Sequence, residues 1–305
     1  MVSHAGWIDP EPEPVTRRGV EELVDRLTYL AIDQAVVLTS FHQSPLPLAL
    51  LLRLAGVPTI AAVSVDYPGA LLDVRHRVDE DLHEVERGLS LVATLGYRLP
   101  EGDDGSLRVR REVAADVPDL GAGGYVVVHP GTSVPARAWA PERHAALVDA
   151  LVGGGRRVVV TGSADERALT AMVAGRRRAG VVDLGGKADL RELAGILGGA
   201  EVVVVGNTGP AHLAAAVGVP VVSLFSPVVP AVRWRPWGVP QVLLGDQTAG
   251  CAGSRARVCP VPGHPCMDGV PVDEVVAAVE RMAPLPQPPE ESGRRGAPVD
   301  QGVVG

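Results

Sequence analysis

Five short polar stretches hold most of the residues here that could do chemistry. They are HPGTSVPARAW (129–139), TGSADE (161–166), GGKAD (185–189), GNTGPAH (206–212) and SPVVPAVRW (226–234). Between them they supply Gly131, Thr132, Ser133, Arg137, Glu166, Lys187, Ala188, Asn207, Thr208, Gly209, His212 and Arg233. Glycines permit close backbone approach, and helix-opening N–H groups and cations attract negative charge, so the set suits a polyanion that also carries sugar hydroxyls. Taken singly, each loop is ordinary turn and cap chemistry. Thr208 is a natural N-cap, and Pro210 stands where a missing N–H costs nothing. Asn207 and His212 are not needed to start a helix. Several such loops sharing one edge favour a nucleotide-type ligand, with Asn207, Thr208, Gly209 and His212 on the phosphate side.

Whether they share an edge depends on the elements before them. Each of the five follows a short apolar run (YVVV, RRVVV, VVD, EVVVV, PVVSLF), and the first four lead into helical spacing. Strand–helix alternation with all-apolar strands predicts a parallel sheet covered on both faces. Right-handed crossovers then put every strand's C-terminal loop on one edge, where ligands bind in such sheets. Residues 124–282 therefore read as a Rossmann-like domain. Upstream, 20–31 and 82–96 read as helices, with Gly96 just past the second, and 34–40 and 59–65 as buried strands. The segment 66–81 reads as a loop. Residues 1–110 read as a partial Rossmann-like domain, 111–123 as a linker and 283–305 as a disordered tail.

Bulk properties exclude several classes. The 305 residues are 46% hydrophobic but only 3% aromatic, and the formal charge is −8 with Lys187 the only lysine. A nucleic-acid partner held by its phosphates needs a concentrated basic face, which this chain lacks. No apolar run reaches the roughly 20 residues of a transmembrane helix, and MVSHAGWIDPEPEP has no signal-peptide core. The expected compartment is the cytoplasm. Three cysteines, all between Cys251 and Cys266, do not form a secreted disulfide framework. With His264 they offer four potential zinc ligands, but the spacing departs from paired short Cys-x-x-Cys knuckles. Reduced, packed thiols are the expectation, and no metal is assigned.

The stretches HPGTSVPARAW, LGGKADLRELAGIL and VVVVGNTGPAHLAAAVGVPVVSLFSP resemble glycosyltransferase family 9, the heptosyltransferase-like enzymes. The resemblance covers most of 124–282 and extends to SRARVCPVPGHPCM; upstream it is carried by TSFHQSPLPLALLLRLAGVP and DYPGALLDVRHRVD. It implies a GT-B-like α/β fold of two Rossmann-like domains with parallel sheets. It also implies inverting, metal-independent transfer of a heptose-like sugar from a nucleotide-diphospho-sugar such as ADP-heptose. The donor is a substrate rather than a cofactor. The acceptor is a glycan, lipid-linked or small molecule on the N-terminal side, which leaves room for transient contact with a membrane surface. By the same resemblance Arg137, Thr132 and Ser133 contact donor phosphate, Gly209 and His212 form the donor turn, Lys187 and Ala188 cover the base, and Glu166 meets the ribose.

Two departures from the family pattern matter. Asn207 replaces the usual Asp of the donor turn, which suggests altered donor choice. The family's opening strand and Gly-Asp loop, which carries the catalytic Asp, is not found, so the N-terminal domain reads as incomplete. Inverting transfer needs a carboxylate to take the acceptor proton. Asp9, Asp66 and Asp73 are available, but each reads as a solvated loop acid, so the base is unassigned. Two alternatives stand beside the transferase: a non-catalytic homologue that binds nucleotide sugar or a partner, and a sugar epimerase on the same fold.

Overall fold

The computed structural model describes residues 12–40, 43–78, 82–109, 124–175 and 179–285. The expected linker and almost all of the expected tail lie outside these residues, as does Asp9.

The N-terminal half comprises α1 (Arg17–Tyr29), β1 (Gln34–Val37), α2 (Leu46–Leu54), β2 (Thr59–Val63), β3 (Val74–His76) and α3 (Glu84–Ala93). Its three strands are parallel in the order β1-β2-β3. Strand β3 lies inside the segment read as a loop. It has only three half-buried residues, too few to show a period-2 pattern, and its pairing with β2 is a tertiary contact. Gly96 has φ +89°, the left-handed conformation expected just past a helix end.

The C-terminal half runs β4 (Val126–His129), α4 (Pro141–Gly153), β5 (Val158–Val160), α5 (Arg167–Ala174), β6 (Val181–Asp183), α6 (Leu190–Gly198), β7 (Val202–Gly206), α7 (Gly209–Ala216), β8 (Val221–Leu224), α8 (Ala231–Trp234), β9 (Gln241–Leu244), α9 (Pro265–Asp268) and α10 (Val272–Met282). All six strands are parallel, in the order β6-β5-β4-β7-β8-β9. The valine runs are buried because both sheet faces are covered. Val126, Val128, Val202 and Val204 pack under α4 and α10, while Val127, Val203 and Val205 pack under α6 and α7. Alternate side chains thus enter different cores, which is why these strands read as continuous apolar runs. Strand β9 carries no sequence signal of its own, because GVPQVLLGD has only four strand residues between turn-formers.

Contacts between the halves are specific. Val85 N–H donates to His83 Nδ1 (3.1 Å), so Nε2 carries the proton and donates to the Arg235 carbonyl (2.9 Å). The His83 ring stacks on Trp237 at 4.5 Å. Burial holds the imidazole below the ordinary histidine range, keeping it neutral. Trp237 Nε1 donates to Gly105 O (3.0 Å), and Val109 N–H to Ala216 O (3.2 Å). The segment before the expected linker therefore already rests on the C-terminal half.

Candidate functional site

Strand order places the site. From β4 the chain proceeds outward through β5 and β6, and from β7 the other way through β8 and β9. The crevice beyond the C-terminal ends of β4 and β7 is therefore a topological switch point. Two cavities open there and meet at Thr208 and Gly209. One, about 400 Å³, is lined by Arg137, His212, Arg255 and Arg257 together with Asn207 and Trp234, and no carboxylate lines it among the described residues. The other, about 390 Å³, is bordered by Gly131, Thr132, Ser133 and Glu166, with Ala188 and Leu193 as apolar wall. A cation-lined hollow in a chain of net charge −8 has the local potential that suits an anion.

The α7 N-terminus faces both cavities and is left open. Thr208 occupies the N-cap position with extended backbone, but its side chain caps nothing; its hydroxyl instead lies 3.5 Å from Gly206 O. By contrast, Asp189 caps α6 by accepting from Arg191 N–H (2.8 Å) and Glu192 N–H (2.9 Å). Gly209 begins α7 without a positive φ, and a Cβ there would meet nothing within 4 Å. The fold does not require glycine at this position, but a ligand pressed against the backbone would. Gly209→Ala is expected to leave the melting temperature unchanged or slightly raised, since alanine is favoured in helices by up to ~1 kcal/mol, while nucleoside diphosphate affinity falls about tenfold. Calorimetry of ADP binding beside thermal denaturation reads both quantities.

Arg137 is half-buried in the loop after β4. Its Nη1 donates to Asn207 O (3.2 Å), while its Nε is buried with no partner. Burial lowers the guanidinium pKa. Arg255 and Arg257 reach the same cavity because their segment pairs with two site loops. Arg255 N–H donates to Val228 O (2.8 Å), and Ala136 N–H donates to Arg257 O (2.9 Å). His212 lies edge-on to Trp234 at 6.5 Å. Burial first, and the nearby His83 and Arg137, hold its pKa below the ordinary value. In the second cavity Glu166 accepts from Ser163 N–H (2.8 Å), and its carboxylate stands where a Cβ on Gly131 would fall. His129 Nδ1, not singled out from sequence, pairs with Thr161 Oγ1 (2.9 Å) at the same wall.

Three expectations change. Lys187 does not line the second cavity; its Nζ donates to Asp183 O (2.6 Å) at the end of β6, leaving Ala188 as the neighbour that does. Asn207 lines the first cavity, but its amide bridges to the next loop: Nδ2 donates to Ser226 O and Oδ1 accepts from Ser226 N–H, both at 3.4 Å. An aspartate could not donate to that carbonyl, so Asn207 braces the two loops as well as lining the cavity. Thr208 serves as a cap by position only.

Of the other acids, Asp73 is a structural clip. It accepts from Ile60 N–H (2.6 Å) and pairs with Arg53 (2.5 Å), and the Ile60 amide leads in holding its pKa down. Asp66 is exposed beside Ser44. In the cysteine loop, Cys251 and Cys266 sulfurs lie 4.0 Å apart and buried, and burial pushes the Cys266 thiol up to about 11. His264 Nε2 faces Ala136 O at 3.1 Å. Among the described residues no three such ligands converge on a metal position. No described helix is long and apolar enough to cross a membrane.

Comparison with known proteins fits this geometry. The chain is 30% identical over 220 residues to lipopolysaccharide heptosyltransferase 3 of Escherichia coli K12, covering 68% of this chain and 61% of that protein. It is 36% identical over 182 residues to lipopolysaccharide heptosyltransferase 1 of Pseudomonas aeruginosa, covering 58% and 48%. The matches thus span about half to three-fifths of those relatives' length. Two solved structures share the fold: the glycosyl transferase family 9 protein of Veillonella parvula (TM-score 0.68, 16% identity, 88% of this chain and 80% of that one) and Escherichia coli heptosyltransferase WaaC with ADP (0.64, 20%, 91% and 80%). Residues 30–264 match the family profile described as glycosyltransferase family 9 (heptosyltransferase), and the chain belongs to that family.

Proposed function

We propose that this chain transfers a heptose-like sugar from a nucleotide-diphospho-sugar to a sugar-containing acceptor, with inversion at the anomeric carbon. The observation that carries the reading is the meeting of two cavities at Gly209, where a Cβ would have open space. The diphosphate lies over the open α7 N-terminus between Arg137, Arg255, Arg257 and His212. The nucleoside extends past Gly131 to Glu166 and Ala188, with the Glu166 carboxylate placed for ribose hydroxyls. ADP in a related structure makes an adenosine diphosphate donor the first to try.

The chemistry follows from charge. As the anomeric C–O bond breaks, negative charge grows on the departing diphosphate. Guanidinium groups and helix N–H groups already in place stabilise it without reorganisation. Protein groups in this reading neutralise the leaving group, and neither a metal ion nor a bound cofactor takes part. Incubation with ADP-heptose should release ADP at a rate insensitive to EDTA, with inverted product by NMR. Tight binding without turnover in the presence of acceptor sugars would instead support the non-catalytic reading.

His212 gives a pH signature. In the free protein its pKa is depressed, burial being the first cause; a bound diphosphate raises it, so binding takes up a proton. Affinity should therefore rise as pH falls from 8 towards 6 and level off below the free-protein value. ADP-ribose is the suitable probe, because its diphosphate keeps constant charge over this range. His212→Gln should flatten the slope; an equal slope in wild type and variant assigns the proton elsewhere.

A further inference from the structure

Trp234 is the last residue of α8. A proline pushes the residue before it out of helical conformation, so Pro236 leaves Arg235 extended (φ −62°, ψ 157°) and the helix ends there. The half-buried indole of Trp234 borders the cation-lined cavity. It also borders a third hollow, about 260 Å³, that opens beyond β1 and β2 beside Thr39, Glu84 and Arg87. Among the described residues only Ser40 shares that position, and neither borders the cavity of Glu166 and Ala188. The neighbours of Trp234, rather than Trp234 itself, join the two halves here. Arg233 Nη1 stands 3.9 Å from Glu84 Oε1, the Arg235 carbonyl accepts from His83, and Trp237 stacks on the His83 ring. Trp139 and Trp237 donate their indole N–H groups to the carbonyls of Val270 (3.2 Å) and Gly105 (3.0 Å). Among the described residues Trp234 makes no such bond, and its ring contact is His212, edge-on at 6.5 Å. Of the Trp, Tyr and Phe residues described, it alone lines the cation-lined cavity.

The connectivity of a nucleotide-diphospho-sugar decides which group meets this indole. Nucleoside, diphosphate and sugar are joined in line. With the nucleoside beside Glu166 and the diphosphate over Gly209, the sugar continues into the first cavity on the side that leads to the third hollow. We infer that Trp234 is a specificity-determining residue whose indole stacks on the apolar C–H face of the transferred sugar. The inference rests on the donor reading above. A pyranose with its C–H bonds gathered on one face presents the flat apolar patch that an indole matches, and the indole N–H remains at the rim to meet a hydroxyl. Phosphate oxygens offer no such patch.

Isothermal calorimetry on the full chain, with ADP and with ADP-heptose and no acceptor, tests this. Trp234→Ala should weaken ADP-heptose about three- to tenfold and change ADP affinity less than twofold. Trp234→Phe keeps a ring and should recover most of the loss, whereas Trp234→Leu keeps apolar bulk without a π face and should not. Should Trp234→Ala fail to fold, the Phe and Leu variants carry the same comparison. Tryptophan emission gives a second readout that a structural role would not move. ADP-heptose should alter wild-type emission beyond the change ADP makes, and that extra change should vanish in Trp234→Phe. Equal losses for ADP and ADP-heptose, full recovery by leucine, or an extra emission change that survives in Trp234→Phe overturns the assignment. Wild type that binds neither ligand fails the donor reading itself; wild type that binds both, with affinities indifferent to Trp234, fails this assignment alone.

Discussion

Arg137→Ala should cost about 10- to 150-fold in ADP affinity while leaving the fold as stable as before or slightly more so. The affinity range corresponds to charge-assisted hydrogen bonds worth about 1.5–3 kcal/mol. The stability expectation follows from what Arg137 lacks. Its one protein bond is to the Asn207 carbonyl, its Nε has no partner although buried, and burial alone sets its pKa shift, downward. A half-buried cation without an anionic partner costs folding free energy, so removing it relieves the empty protein and harms only the complex. Arg137→Lys should not restore binding, because a point ammonium cannot span two phosphate oxygens as a guanidinium fork does. Calorimetry with ADP and urea unfolding of the same samples measure both quantities. A large loss of stability in Arg137→Ala would make this arginine a structural residue and remove it from the donor site.

The second large effect concerns stability alone. Arg156, just before β5, has a side chain only 2% exposed. It makes a paired contact with Glu280 (2.8 and 3.1 Å), reaches Glu201 (2.9 Å) and bonds the Ala283 carbonyl. This joins α10 to the sheet edge remote from the site. Its two glutamates are each 41% exposed, and that asymmetry decides which substitution hurts. Removing Arg156 leaves carboxylates that water can reach, whereas removing both carboxylates leaves a buried guanidinium without counter-charge. The Glu201→Gln/Glu280→Gln double variant should therefore lose about 3–5 kcal/mol, and Arg156→Met clearly less. Urea unfolding at pH 7 compares them. The reverse order would mean that packing of the arginine stem, rather than its charge, holds the network. ADP affinity of the folded fraction should be unchanged in either case.

Much of the C-terminal half was legible because its signals are local. Four valine runs, each followed by a Gly-containing turn and a helix of regular spacing, determined a parallel α/β sheet and the common edge of its loops. Thr132, Ser133, Arg137, Gly209, His212 and Glu166 follow from that topology, since a residue just beyond a parallel strand must lie at that edge. Strands β3 and β9 were not legible. They are short, lack a usable period, and form by pairing along the open edge of a neighbouring strand.

Tertiary structure also decided what each polar side chain does once it reaches the edge. Lys187 and Ala188 are adjacent in the chain, yet one bonds the end of β6 and the other lines the cavity. Asn207 looked like a substitution at the ligand, and the Ser226 main chain 19 residues later shows what holds its amide. Arg255 and Arg257 lie in an aperiodic loop. Only its backbone pairing with the loops after β4 and β8 brings them to the cation-lined cavity. Glu84 reads locally as a helix-opening acid favoured by the helix dipole, and only the approach of Thr39, Arg87 and Trp234 makes a hollow around it. The sequence by itself determined which backbone forms and which edge the loops share, because those depend on hydrophobic period and turn chemistry over a few residues. Partnership among the polar groups was decided by the fold, because hydrogen-bond and charge partners are set by distance in space and leave no trace in local spacing.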